Sequence, residues 1–139
     1  MNIAVADVVE ARWVDNGPGW LGVLLRSAEA VLALEPKRHR PGRVEIGVVG
    51  PHPAGSATAF ELRAFFSDQN GILLEDPVTG SLNASVAQWL IGSGKAPGSY
   101  LAAQGTRLGR SGRIHVAQKD GDIWIGGKTT TSVVGEIAI

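Results

Sequence analysis

The chain of 139 residues has no cysteine, a single methionine, a single tyrosine and no surplus of either charge, its 13 basic residues matching 13 acidic ones. Each shortage closes off a class of function. Without cysteine there is no disulfide, no thiolate nucleophile and no cysteine-based metal site. That composition is what a cytoplasmic protein permits, and a cytoplasmic location is expected. Without a net positive field, neither nucleic acid nor an anionic membrane has much to hold it, and neither is expected as a partner. No apolar run approaches the roughly 20 residues that span a bilayer, and the first residues show no basic start followed by an apolar core.

What the chain does contain is 44% apolar residues and a mean hydropathy of +0.08. This is the composition of a globular protein with a real core, at the size of one domain. Nineteen glycines and seven prolines, set among many valines and isoleucines, indicate short strands joined by tight turns.

The β-branched stretch Ile3 to Val9 reads as an opening strand, and Trp13 to Gly19 as a break carrying Asn-Gly and Pro-Gly turn dipeptides. Trp20 to Leu25 reads as a buried strand. Ser27 is placed to cap a short outer helix over about residues 27–34, closed by Pro36. The basic run Lys37 to Arg43 is short and lacks interleaved aromatics, so it reads as a solvated loop. Val44 to Val49 is the next strand, and Ala59 to Phe66 alternates as a strand with one wet face. Ile72 to Leu74 leads into Glu75-Asp76-Pro77-Val78-Thr79-Gly80-Ser81. A helix over about residues 81–92 follows, apolar nearly all round and therefore central, and stopped by Gly92 and Gly94. Tyr100 to Gln104, Arg113 to Ala117, Asp122 to Ile125 and Ser132 to Ile139 are four further short strands. Many strands and one buried helix imply an α+β fold, a sheet wrapped round that helix, with residues 1–139 as a single lobe.

The helix start carries the chemistry. Unpaired amides and the positive end of the helix dipole attract a carboxylate or phosphate. Gly80 lets a ligand approach the backbone, while Thr79 and Ser81 add hydroxyl donors. Glu75 and Asp76 stand just upstream, where a carboxylate can move a proton or fix a tautomer. The same residues equally fit a capped helix behind a polar turn. Arg107, Arg110 and Arg113 are near enough in sequence to reach an anion, or are solvated turn residues. His39, His52 and His115 share no metal-ligand spacing.

The block E-D-P-V-T-G-S-L-N-A-S-V-A-Q-W-L, preceded by A-F-E-L-R-A-F-F and followed by Q-G-T-R-L-G-R-S-G-R-I-H-V, resembles the second half of the phenazine-biosynthesis (PhzC/PhzF-like) isomerases, related in fold to diaminopimelate epimerase. R-W-V-D-N-G-P-G-W and I-W-I-G-G-K agree in order. The resemblance implies two similar lobes, each a barrel-like sheet around a helix, with a small carboxylate-bearing substrate between them. It implies substrate-binding roles for Asp76, Thr79, Gly80 and Ser81, with Asp76 and Ser81 supporting catalysis and Glu75 as a neighbour. It further implies cofactor-independent and metal-independent proton transfer. The family's catalytic glutamate belongs to the first lobe, near a Gly-His motif, and neither occurs here. Two functional readings follow: one lobe of an isomerase whose cleft is completed by a separately encoded lobe, or a homodimeric binding module or remnant without the catalytic glutamate. In the second, Glu75 is the local candidate to replace it.

Overall fold

The computed structural model describes residues 3–37, 42–43 and 45–138. His39 and most of the basic run lie outside the described residues. The opening strand begins later than its β-branched start suggests. Val5–Asp7 forms a 3₁₀ turn, and strand β1 spans Val8–Asp15, through the Trp13 to Asp15 stretch expected as a break. The reversal occupies only Asn16 to Pro18: the Asp15 side chain accepts from the Gly17 amide at 2.9 Å, and Asp15 pairs back onto Gly19. Such an Asx arrangement lets a strand run up to its own turn.

Strand β2 is Gly19–Leu25, helix α1 Ala28–Leu32, and β3 Glu45–Pro51. Ser27 caps α1 as its sequence position predicts, its hydroxyl accepting from the Ala30 amide at 3.1 Å. Strand β4 is Phe60–Ser67, β5 Leu73–Asp76, helix α2 Gly80–Gly92, β6 Ser99–Gln104, β7 Gly112–Lys119 and β8 Asp122–Gly126. These strands form one sheet in the order β1-β2-β3-β4-β6-β7-β8, with β5 also paired to β4. Most pairings are antiparallel; β2 with β3 and β4 with β6 are parallel, which makes the sheet mixed.

The sheet curls round α2. Leu82, Val86 and Leu90 of that helix are fully buried against Val49, Leu62, Ala102 and Ile114. Each such side chain contributes on the order of 1.5–3 kcal/mol through the apolar area it removes from water. The outer face of the sheet carries a second core, where Val31 and Leu34 meet Val23, Leu25, Val48 and Phe65. Strand β4 lies between the two cores. It therefore lacks the wet face expected of it: Phe60 through Phe65 are all buried, with Phe60, Leu62 and Ala64 turned to α2 and Phe65 turned outward.

Strand β4 also forks. Its first half, Phe60 to Leu62, pairs with β6, while its second half, Ala64 to Ser67, pairs with β5. The β5–α2 corner sits in the crotch of that fork. The last expected strand does not form: residues 127–138 are exposed and outside any ladder, and Ile139 lies outside the described residues.

Candidate functional site at the start of the central helix

Antiparallel pairing with β4 sets which way each acid of the Glu75-Asp76 pair points. Glu75 lies opposite Phe65 and Asp76 opposite Ala64. Glu75 accordingly faces outward with Phe65, and Asp76 faces the helix with Ala64. The outward acid is fully engaged: the Arg63 Nε and Nη2 donate to its two oxygens at 2.9 and 2.7 Å. The same guanidinium donates from Nη1 to the carbonyls of Val31 and Leu34 at 3.2 and 2.7 Å, closing the C-terminal end of α1. Glu75 is thus a strut between β5, β4 and α1, on the opposite face from the other predicted site residues.

Asp76, Thr79, Gly80 and Ser81 are brought together. Thr79 holds the N-cap position of α2, yet its hydroxyl does not cap the helix amides. It donates to the Asp76 carboxylate at 2.7 Å and accepts from the Gln104 side-chain amide at 3.0 Å. With the cap thus turned aside, no protein acceptor meets the amides of Gly80, Ser81 and Leu82 among the described residues. Those are the donors a helix start leaves for a ligand. The backbone is open at this point, since a Cβ built on Gly80 meets nothing within 4 Å. Ser81 is half-buried, and no protein group bonds its hydroxyl among the described residues.

Two residues that motif reasoning missed hold this corner in shape. Gln104, at the end of β6, has no exposed surface. Its carbonyl oxygen accepts from the Thr79 amide at 3.2 Å and from Asn83 Nδ2 at 2.8 Å. Its nitrogen donates to the Asp76 carbonyl at 3.0 Å as well as to the Thr79 hydroxyl. Asn83, 2% exposed on the inward face of α2, also donates to the Thr79 carbonyl at 2.9 Å. One buried amide therefore ties β6 to the turn and the turn to the helix. The signal for both was an amide inside an otherwise apolar element, which is tolerated only when its hydrogen bonds are satisfied.

The loop after β6 completes the corner. Gly105 takes a left-handed φ of 85°, and a Cβ there would lie 2.6 Å from the Pro77 carbonyl oxygen, so the loop packs on the turn only because that residue is glycine. Two of the three candidate anion-binding arginines are engaged away from the corner. Arg107 pairs with Glu35, Arg113 donates to the Gly112 carbonyl at 2.8 Å, and Arg110 is exposed. His52 Nε2 lies 3.2 Å from Glu61 Oε2, and His115 stands exposed on β7. Among the described residues no three or more His, Asp or Glu side chains gather as a metal site, and no helix is long and apolar enough to cross a membrane.

Comparison with known proteins agrees with the fold. A family model described as phenazine biosynthesis-like protein, PhzC-PhzF, matches residues 2–135. An uncharacterized isomerase of Pasteurella multocida is 24% identical over 146 residues, covering 100% of this chain and 48% of that protein. Antisense-enhancing sequence 1 of Schizosaccharomyces pombe is 31% identical over 135 residues, covering 88% of this chain and 45% of that one. A solved PhzF-family protein from Bacillus anthracis superposes with a TM-score of 0.64 at 17% identity, over 87% of this chain and 46% of its own. One from Enterococcus faecalis gives 0.59 at 21%, over 86% and 45%. The chain spans about half the length of the curated relatives it matches. The curled mixed sheet around one central helix is the lobe architecture of those structures and of diaminopimelate epimerase-like folds. With its family model covering nearly the whole sequence, this chain belongs to the PhzC-PhzF, phenazine biosynthesis-like family.

Proposed function

We propose that the Asp76 to Ser81 corner binds the carboxylate of a small molecule, and that a second lobe completes a cleft in which that molecule undergoes cofactor-independent proton transfer in the cytoplasm, an isomerisation or epimerisation. The observation that carries this is the set of first-turn amides of α2, left without protein acceptors beside the unbonded Ser81 hydroxyl. An anion there gains the helix-dipole field and the amide donors together. Asp76 stands one turn back, its carboxylate steadied by Thr79, placed to accept a hydrogen bond from a substrate N–H or O–H and so fix its orientation. The membership in a family with an isomerase among its relatives supports the reaction class.

A second reading, binding without turnover by this chain alone, draws on the position of Glu75. Both of its oxygens are held by Arg63 on the far side of β5, so it is not presented to a ligand at the α2 start. On this reading the base comes from the second lobe.

Titration of the labelled protein with malonate, followed by amide chemical shifts, tests the binding claim. Saturable shifts should centre on Gly80, Ser81 and Leu82, weaken in Ser81→Ala, and persist in Glu75→Gln. No saturable shift at these amides, or equal shifts in the Ser81→Ala protein, would remove the site. For the reaction, a complex with a completing lobe should lose activity in Asp76→Asn while keeping its assembly. Full activity in that variant would reject the assigned role.

A further inference from the structure

The chain contains two Asn-Gly dipeptides, Asn16-Gly17 and Asn70-Gly71, and the fold treats them differently. Such a dipeptide can react with itself, the glycine nitrogen attacking the side-chain carbonyl carbon of the asparagine. No Cβ shields the glycine amide, and the chain holds the two groups side by side. What restrains the attack is the proton that the amide nitrogen must give up.

Both asparagines are exposed, and among the described residues neither side chain forms a hydrogen bond. Asn70-Gly71 lies in the loop between β4 and β5. There the Gly71 amide donates to the Asp68 carbonyl oxygen at 3.1 Å. The Asp68 carboxylate is occupied instead by the amides of Asn70 and Ile72, each at 2.8 Å. Asn16-Gly17 lies in the reversal between β1 and β2. There the Gly17 amide donates to the Asp15 carboxylate at 2.9 Å. The reacting N–H therefore meets a peptide carbonyl at residue 71, which is no base, and a carboxylate at residue 17, which is one. Gly17 also has a left-handed φ of 97° and nothing within 4 Å of its Cβ position, so no neighbouring group crowds it.

We propose that Asn16 is a site of spontaneous modification, deamidation through a cyclic imide, with Asp15 as the general base. The Gly17 nitrogen bonds to Asn16 Cγ as its proton passes to the Asp15 carboxylate. The Cγ–Nδ2 bond breaks, and ammonia leaves with that proton. Water then opens the imide at either carbonyl, giving an aspartyl residue or an isoaspartyl one whose main chain runs through the former side chain. One water is consumed and one ammonia released, with no oxidant or reductant. Either product places a new carboxylate beside Asp15. The isoaspartyl form also lengthens the main chain between Asp15 and Gly19, which are paired across the hairpin, so the end of that hairpin must open or re-register. This chemistry is independent of any ligand at the α2 corner.

Peptide mapping of the folded protein held at neutral pH tests it. Conversion at Asn16 should outrun that at Asn70 by about tenfold or more, a modest share of what a positioned base contributes. Asp15→Ser keeps a side-chain acceptor for the turn but no base. With circular dichroism matching the parent, it should slow Asn16 to about the pace of Asn70 and leave Asn70 unchanged. In urea, where neither turn persists, the two sites of the parent should convert at comparable rates, a comparison that needs no variant. Equal rates at the two sites of the folded protein overturn the proposal. So does an Asp15→Ser protein that converts at Asn16 like the parent. A rate ratio as large in urea as in the fold also overturns it, because the difference would then belong to the local sequence alone.

Discussion

Gln104 closes the apolar strand Leu101 to Ala103, where the residue pattern gives no hint that an amide will do more than end a strand. It makes four hydrogen bonds with no exposed surface. Replacing it with leucine keeps the volume but orphans the Thr79 amide and the Asp76 carbonyl and halves the bonding of Asn83. Leaving buried polar groups unpaired costs about 1–3 kcal/mol apiece, so Gln104→Leu should lose about 3 kcal/mol or more by urea denaturation. Faster hydrogen exchange confined to Thr79 through Asn83 should accompany it. A change below 1 kcal/mol would mean that the network is not what holds the corner. At this scale the motif was legible and its supports were not. Thr79, Gly80 and Ser81 announce themselves by spacing, whereas the direction of Glu75 is fixed by its register against β4 and by Arg63, which are contacts between residues distant in sequence.

The elements were legible where local chemistry decides them. Ser27 caps α1, and the apolar run after Gly80 forms the central helix, because caps and periodicity act within a few residues. They were not legible where packing decides. The wet face expected of β4 is absent because α1 covers the side that alternation alone leaves open. The closeness of that cover rests on Gly50: a Cβ there would stand 2.3 Å from the Ser27 carbonyl oxygen and 2.9 Å from Val31 Cγ2. Because the first of these is backbone, Gly50→Ala must move α1 as a whole, and should destabilise by about 2 kcal/mol. Gly92→Ala, at an open position near the end of α2, should be neutral or stabilise by up to about 1 kcal/mol. Equal midpoints for the two variants in a denaturant series would show that α1 is not seated as tightly as the contact implies.

For the molecule as a whole, its one tyrosine reports on intactness. The Tyr100 ring meets Phe60 edge-on, with centroids 5.1 Å apart and planes at 67°, and burial pushes its phenol well above the ordinary value of about 10. The raised value means that the folded state resists losing the proton. The associated stability is complete below the unfolded value near pH 10 and is lost progressively as pH rises beyond it. The urea midpoint should therefore fall with pH above about 10, and phenolate absorbance should rise with unfolding rather than ahead of it. Tyr100→Phe should flatten that part of the decline. Identical alkaline profiles for parent and variant would assign the loss to other groups.

The fork in β4 also imposes an order in time. A strand that pairs in parallel with β6 waits for everything between them to be made, because the intervening β5 and α2 form the crossover. As the chain leaves the ribosome, β4 can join β3 and then β5 early, through near-neighbour contacts. Its Phe60 to Leu62 edge stays bare until β6 arrives, and contacts of such separation slow folding. Gln104 is the last residue of that late strand, so the turn that presents Asp76 and the α2 amides is locked only when β6 is in place. A chain caught before that moment has its central helix half-wrapped and its α2 corner loose, which makes the proposed binding a late sign of a finished fold.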